Sequence, residues 1–301
     1  MAKEEVLIGR CISTKHVEAY KTGIFKNLFK YINEDPELSI EMRLKNEAKV
    51  YYRKKLLLTT SFDSKGNPHV QILDKNYYKG QAYPFKEKEN LENLSNLRSF
   101  SNIKDYFKKA KRLAYFKSMG EEFSFQQNSA MGNHSFDNKY LVVDMEWEFQ
   151  QAGSKAPIKI TRPDLVIVEV EKNKDGYNDI YLAELKVGTG ATGGKSGIID
   201  HVNKTFEIIR RKEACASLIQ DVTSIIANKT ALGIISGDLE EFRFAEKPKM
   251  MLISAYRGEK EKQELEIEAQ KAKKRAKEIG MEEPKCLLYN ALITLTENNE
   301  N

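Results

Sequence analysis

Two carboxylates and a lysine stand in a spacing that suits phosphate chemistry. Asp164 follows a proline, Glu184 comes twenty positions later, and Lys186 comes two positions after that. Paired carboxylates are hard oxygen ligands that suit Mg²⁺. A metal held against a phosphodiester polarises it and lowers the pKa of a bound water, which becomes a nucleophile. A lysine beside them stabilises the charge that develops during the attack. This combination of residue types is therefore suited to metal-assisted hydrolysis.

A β-hairpin is the element that must position these three side chains. Residues 165–171 and 179–187 are mostly apolar and β-branched runs, and Asp175-Gly176 between them is a turn signal. Alternate residues of a strand share a face, so Glu184 and Lys186 are expected together. A turn centred on Asp175-Gly176 makes paired position numbers sum to about 351. Asp164 is then within one or two rungs of Glu184 and Lys186.

The pair Pro163-Asp164, followed by Glu184-Leu185-Lys186, resembles the PD-(D/E)XK nuclease superfamily. The resemblance implies an α/β, restriction-endonuclease-like mixed central sheet flanked by helices. It also implies Mg²⁺- or Mn²⁺-dependent hydrolysis of phosphodiester bonds, usually in DNA, with RNA as the alternative. Bacterial members are often restriction, repair or phage-defence enzymes. In this chain the catalytic residues would be Asp164, Glu184 and Lys186, and the first two would be metal ligands.

Three further acids are candidates for the same site. Residues 121–128 are predicted to be helical, and within the resemblance a helix before the first strand supplies a glutamate, here Glu122. Residues 139–150 are predicted to form the first core strand, with Asp144, Glu146 and Glu148 on one face and Leu141, Val143, Met145, Trp147 and Phe149 on the other. A row of acids on one strand face is repulsive, and a nearby metal or an exposed edge would relieve it. Asp144 and Glu146 are therefore expected metal ligands, and Glu122 and Glu146 expected catalytic groups.

A glycine-rich segment, residues 188–197, follows the hairpin and opens a predicted helix, residues 196–212. It resembles a P-loop, GxxxxGK[ST], except that Thr189 stands where the first glycine belongs. A loop at a helix N-terminus can instead bind a phosphate of a nucleic-acid backbone. Lys195 and Ser196 are the expected contacts in either case. His201, in the helix, is expected to reach the scissile phosphate or the loop, or to be an ordinary surface histidine.

The front of the chain is basic. Residues 1–120 hold 24 Lys and Arg against 14 Asp and Glu, whereas residues 121–301 hold 25 against 30. We expect an N-terminal α+β extension over residues 1–98, with a helix over 15–35 and a meander from strands at 38–43, 48–61 and 69–73. The nuclease-like domain is expected over residues 99–301. It begins with a helix, residues 101–119, whose basic stripe is either a nucleic-acid contact or a solvated face; its candidate contacts are Lys108, Lys109 and Arg112.

The composition of the chain also bears on its location in the cell and on its partners. No apolar run is long enough to span a bilayer and no signal peptide is visible, so we expect a cytoplasmic protein without a membrane partner. Three widely spaced cysteines are expected to be reduced. A homo-oligomer or a partner protein stays open. Besides a metal-dependent nuclease, two other classes remain: a non-catalytic nucleic-acid-binding module on the same fold, and a P-loop nucleotide switch.

Overall fold

The structure is a computed structural model that describes residues 9–78, 83–115, 121–149, 162–189, 197–237 and 242–291. Within these ranges the chain is α/β, with two sheets and seven α-helices. A four-stranded antiparallel sheet is followed by a five-stranded mixed sheet. The mixed central sheet with flanking helices confirms the fold class at this level.

The N-terminal part differs from its prediction in two places. The single helix expected over residues 15–35 is two helices, because the chain turns at Gly23, which approaches the backbone of Ala19 so closely that a side chain would not fit. The single strand expected over residues 48–61 is two strands, joined by a tight turn at Arg53-Lys54. The elements are α1 (Thr14–Lys21), α2 (Lys26–Glu34), β1 (Ser39–Arg43), β2 (Glu47–Tyr52), β3 (Lys55–Phe62) and β4 (Pro68–Gln71).

Two helices lead into the second sheet, and the first of them is amphipathic. They are α3 (Phe100–Tyr115) and α4 (Glu121–Gly132). Both were predicted to be helical, α3 from the spacing of its apolar residues, and α3 buries Ile103, Tyr106, Phe107, Ala110 and Ala114. The predicted first core strand is present, but it ends at Met145.

The central sheet has its five strands in sequence order. They are β5 (Tyr140–Met145), β6 (Leu165–Lys172), β7 (Asn178–Val187), β8 (Lys249–Tyr256) and β9 (Lys285–Asn290). The first three are antiparallel, and β8 and β9 run parallel to β7. The crossover from β7 to β8 contains α5 (Ile198–Ile209) and α6 (Lys212–Ala231), and α7 (Glu259–Glu278) connects β8 to β9.

Helices cover both faces of the central sheet. Ala130 of α4 packs with Val142, Leu165 and Ala183 on one face. On the other face α6 packs against β5, β6 and β7, while α5 and α7 pack against β8. The α6 cluster continues into the N-terminal sheet, so one core crosses the proposed division at residues 98 and 99. That division stays a prediction.

None of the helices among the described residues combines the length and the apolar character that crossing a bilayer requires.

Candidate functional site

The β6–β7 hairpin places Asp164 beside Glu184. Leu165 pairs with Ala183, whereas the turn alone predicts that it faces Lys186. The register differs because an irregularity between Val168 and Lys172 takes up extra residues. One carboxylate oxygen of Asp164 accepts a hydrogen bond from the backbone N–H of Leu185 at 2.9 Å. The carboxylate therefore lies against the peptide between Glu184 and Lys186.

Glu184 is held by two positively chargeable groups. Its Oε1 accepts a hydrogen bond from Nζ of Lys186 at 3.0 Å, and its Oε2 lies 3.0 Å from Nδ1 of His201. Lys186 lies on the same side because the two residues alternate along β7, and His201 comes from the start of α5. The Glu184 and Lys186 side chains are 8% and 7% exposed. The trio predicted from the sequence is thus brought together, and His201 joins it through Glu184.

Lys54 enters the same site from the N-terminal sheet. Its ammonium lies 2.9 Å from Oδ1 of Asp164 and 3.2 Å from Oε1 of Glu146. The β2–β3 turn delivers it, and its side chain is 12% exposed. Burial opposes the charge, but attraction to Asp164 and Glu146 outweighs it and raises the pKa of Lys54. A shared lysine therefore joins Glu146 to Asp164, while the predicted roles of Glu146 in metal binding and catalysis stay predictions.

The helix α4 supplies Glu122 and Gln126. The Gln126 side-chain amide donates to the backbone carbonyl of Asp164, which ties the helix to the site. Burial raises the pKa of Glu122; Lys186 and Lys54 lower it, and Asp164 and Glu184 raise it. The charges of the site therefore act on Glu122, whose role as a catalytic group stays a prediction.

Asp144 is placed elsewhere, which corrects the expectation that it is a metal ligand. A bulge between Val142 and Asp144 reverses the alternation of side chains, so that Met145 packs with Val142 and Asp144 turns to the other face. There its two oxygens each lie 2.6 Å from an arginine, Arg10 and Arg43, and its side chain is 1% exposed. These two guanidinium groups outweigh the effect of burial and hold the pKa of Asp144 low.

Asp144 belongs to a cluster that we call the buried clasp, formed by Arg10, Glu41, Arg43, Asp144 and Lys229. Nζ of Lys229 donates to Oε2 of Glu41 and to the carbonyl of Val143, each at 2.8 Å. The clasp joins β1, β5, α6 and the residues before α1. Next to it, Asp221 accepts hydrogen bonds from the backbone of Arg10 and from the indole of Trp147. Because its members are buried and paired with one another, we interpret this network as structural: it holds β1, β5, α6 and the residues before α1 together.

The remaining predicted contacts are dispersed or not described. Lys195 and Ser196 lie outside the described residues, so the phosphate-loop prediction stays untested. Lys108 and Arg112 are exposed on α3, but Lys109 donates to Glu89. The lysine between them, Lys111, is held by Asp35 and Glu37. The basic stripe is therefore partly neutralised by neighbouring acids.

The donor atoms suit a hard divalent cation, but they are not gathered around one point. Asp164, Glu184, Glu146 and Glu122 offer only oxygen, which Mg²⁺ and Mn²⁺ prefer. Within the part of the chain that the structure describes, no three His, Cys, Asp or Glu side chains are grouped so as to hold a metal ion. Each of Asp164, Glu146 and Glu184 is in contact with a lysine instead.

A basic cavity of about 430 Å³ opens beside Glu146. Five cationic and three acidic side chains line it: Arg10, Arg43, Lys45, Lys49 and Arg162, with Glu47, Glu146 and Glu148. The β1–β2 turn supplies Lys45, and Arg162 immediately precedes Pro163-Asp164. Asp144 holds Arg10 and Arg43, and Glu47 holds Lys49, so Lys45 and Arg162 are the lining cations best placed for an anionic group next to the carboxylates.

Lys54 is the site residue that sequence reasoning missed. The five residues Tyr51-Tyr52-Arg53-Lys54-Lys55 stand between apolar runs and were assigned to the middle of one strand. The three consecutive cations Arg53-Lys54-Lys55 were the one feature of the sequence that indicated a turn. The usual signal was lacking, because Arg53 and Lys54 adopt left-handed φ angles of 48° and 66° without a glycine or asparagine.

Comparisons of this chain with protein-family models, with curated proteins and with solved structures find no match.

Proposed function

We propose that this chain is a metal-dependent nuclease that hydrolyses phosphodiester bonds, most suitably in DNA, with a site of the PD-(D/E)XK type. The observation that carries the proposal is the hydrogen bond from the Leu185 N–H to Asp164, beside the Glu184–Lys186 contact. Two carboxylates and a lysine are thereby held at one end of a hairpin. The order of three antiparallel strands, a helical crossover and a parallel strand also supports it.

Asp164 and Glu184 would hold the metal, with Glu146 or Glu122 completing its coordination. A divalent cation bound there polarises the phosphodiester and lowers the pKa of the attacking water. Lys186 is placed to orient that water or to stabilise the charge that develops on the phosphate oxygens. Lys45, Lys49 and Arg162 around the basic cavity would hold the adjoining backbone by its phosphates.

The direct test is cleavage of linear duplex, circular duplex and single-stranded DNA, and of RNA, with and without Mg²⁺ or Mn²⁺. We expect metal-dependent cleavage of DNA. Lys186→Ala should lower turnover by about 10²–10³-fold with little change in DNA affinity, because the lysine acts on the transition state. Lys172→Ala is the matched control, since Lys172 is an exposed lysine at the far end of the same hairpin.

One observation favours a second candidate, a non-catalytic nucleic-acid-binding module. The carboxylates are already neutralised by Lys54 and Lys186 and are not grouped for a metal within the described residues. This candidate predicts DNA binding that is unaffected by Mg²⁺ or Mn²⁺ and no cleavage of any of the substrates. Cleavage that is lost in Lys186→Ala would exclude it.

A further inference from the structure

Lys54 lies between Asp164, which the proposed function assigns to metal binding, and Glu146, one of the two acids that would complete the coordination. Its ammonium is 2.9 Å from Asp164 and 3.2 Å from Glu146. These are hydrogen-bond distances, and a Mg²⁺ ion bridging the same two groups would stand about 2.1 Å from their oxygens. An ammonium and a divalent cation within about 4 Å of one another repel strongly in a partly buried site. The two cations therefore exclude each other at this position.

The backbone on both sides of this contact is held in an uncommon conformation. Arg53, Lys54 and Glu146 have φ angles of 48°, 66° and 54°, in the left-handed region that side chains disfavour. Such conformations persist where the surroundings determine them, and they concentrate at functional sites. Arg53 and Lys54 have the angles that a two-residue hairpin turn requires. Glu146 adopts its left-handed conformation just after β5, and there it contacts Lys54.

The turn that presents Lys54 is also fixed from the side of α4. The ammonium groups of Lys54 and Lys55 lie 5.6 Å and 4.8 Å from the centre of the Phe123 ring. Phe123 is the neighbour of Glu122 in α4, and the guanidinium of Arg53 lies 5.1 Å from the ring of Tyr115 at the end of α3. The turn is anchored while the four-carbon stem of Lys54 leaves its ammonium able to move.

A phosphate bound in the basic cavity would offer the Lys54 ammonium an alternative partner. Glu146 lines the cavity and contacts Lys54, so a phosphodiester bound there would lie close to this lysine. A phosphate oxygen is a charge-assisted acceptor equivalent to the carboxylate that Lys54 would leave. Substrate binding could thus draw Lys54 away from Asp164.

We propose that Lys54 is a built-in competitor of the metal: it occupies the position between Asp164 and Glu146, and a phosphodiester backbone in the basic cavity releases it. This inference rests on the proposed function. Metal affinity is then low in the free protein and rises when nucleic acid is bound. The N-terminal sheet, through one turn, couples metal loading to the presence of substrate.

The test measures Mn²⁺ affinity by calorimetry on the full chain without nucleic acid. Lys54→Met and Lys54→Gln should bind Mn²⁺ about tenfold more tightly than the parent, a typical size for coupling between two ligands. Lys54→Arg, which keeps the charge, should resemble the parent. Lys55→Met is the matched control, since Lys55 contacts the same Phe123 ring, and it should also resemble the parent. Asp164→Asn reports whether Mn²⁺ binds at this site.

A second measurement uses a phosphorothioate duplex that resists cleavage. The duplex should tighten Mn²⁺ binding more in the parent than in Lys54→Gln, because only the parent has a lysine to release. Unchanged or weaker Mn²⁺ binding in both neutral variants, with binding lost in Asp164→Asn, would overturn the inference and leave the nuclease proposal standing. Absence of Mn²⁺ binding in every variant, or binding that Asp164→Asn does not weaken, would overturn both.

Discussion

Asp144 and Glu146 are two residues apart, yet they belong to charge clusters of opposite character. Asp144 lies in the buried clasp, 1% exposed and held by two arginines. Glu146 lies with Asp164, Glu184, Lys186 and Lys54 in the candidate site. Its side chain is 34% exposed and is shared between Lys54 and Arg162. The first cluster has fixed partners from four parts of the chain. Both clusters border the basic cavity, through Arg10 and Arg43 of the first and Glu146 of the second. Asp144 is buried whereas Glu146 is partly exposed, so the cations of the second cluster can exchange for a ligand.

Backbone geometry separates the two clusters. The bulge in β5 turns Asp144 away from the face that alternation predicts, and the left-handed conformation of Glu146 brings that residue to Asp164. The N–H of Glu146 donates to the carbonyl of Asp164 at 3.1 Å. The local path of the backbone therefore decides which cluster each acid joins. Asp144 joins the buried clasp, and Glu146 joins Asp164 and Lys54.

The largest effect is expected at Asp144. Asp144→Ala leaves two buried arginines without their anion and should cost about 3–5 kcal/mol of the free energy of unfolding. Glu146→Ala, the matched control, removes a partly exposed acid and should cost about 0–1 kcal/mol. Urea unfolding of the two variants measures the difference. Similar small losses in both would mean that the clasp is not the structural cluster.

The Glu41–Lys229 pair gives the next effect. Each partner has a side chain 2% exposed. Lys229→Met leaves a buried carboxylate unpaired, which should cost about 3–5 kcal/mol. The double change Glu41→Leu with Lys229→Met should recover most of this loss. It would remain below the parent by about 1–3 kcal/mol, because the Val143 carbonyl loses its donor.

A double variant no more stable than Lys229→Met would contradict the assignment of this cost to an unpaired charge. The loss would then come from the packing of the long Lys229 side chain, which is among the largest fully buried ones. Urea unfolding of the parent, both single variants and the double variant separates these two contributions.

The sequence predicts the fold class, the hairpin and the trio because these follow from short periodic patterns. Alternation along β7 places Glu184 with Lys186, whereas Glu122 was expected from the family resemblance. Lys54 reaches the site because of a turn that contains no glycine. Asp144 lies away from the site because of a bulge in β5. Tertiary packing determines both features, so local sequence gives no period that would reveal them.

The pH dependence of the free energy of unfolding tests whether Glu122 lies in a partly buried, charged site. Burial raises its pKa above the ordinary 4.5, so above this pH the unfolded chain releases the proton before the folded protein does. The free energy of unfolding attributable to Glu122 therefore falls as pH rises from 4.5 through the raised value. Glu122→Gln removes this fall, and its melting temperature relative to the parent should increase over that interval.

Glu121→Gln is the control for this experiment, since Glu121 is the neighbouring residue and its side chain is 66% exposed. Melting curves across about pH 4 to pH 7 give the two profiles. If Glu122→Gln and Glu121→Gln follow the same profile, Glu122 is not held in a partly buried charged site.

The smallest effect is expected from the surface cations, and it decides which of two basic regions contacts nucleic acid. The cavity beside Glu146 is lined by Lys45 and Lys49, whereas Lys108 and Arg112 lie exposed on α3. Each cation that neutralises a phosphate releases counterions, so its loss lowers the slope of log affinity against log salt by roughly 0.9. We expect the double reversal Lys45→Glu with Lys49→Glu to lower this slope on all DNA sequences alike.

Lys108→Glu with Arg112→Glu changes the net charge by the same amount and is the matched control. Any effect of net charge alone would appear equally in both pairs, while a contact appears in one. DNA affinity measured over a series of salt concentrations gives the slopes. A decrease confined to the α3 pair would move the substrate path away from the cavity and onto the helix. It would also remove the phosphate that is proposed to release Lys54 from Asp164, so this measurement bears on the metal competition as well as on the binding surface.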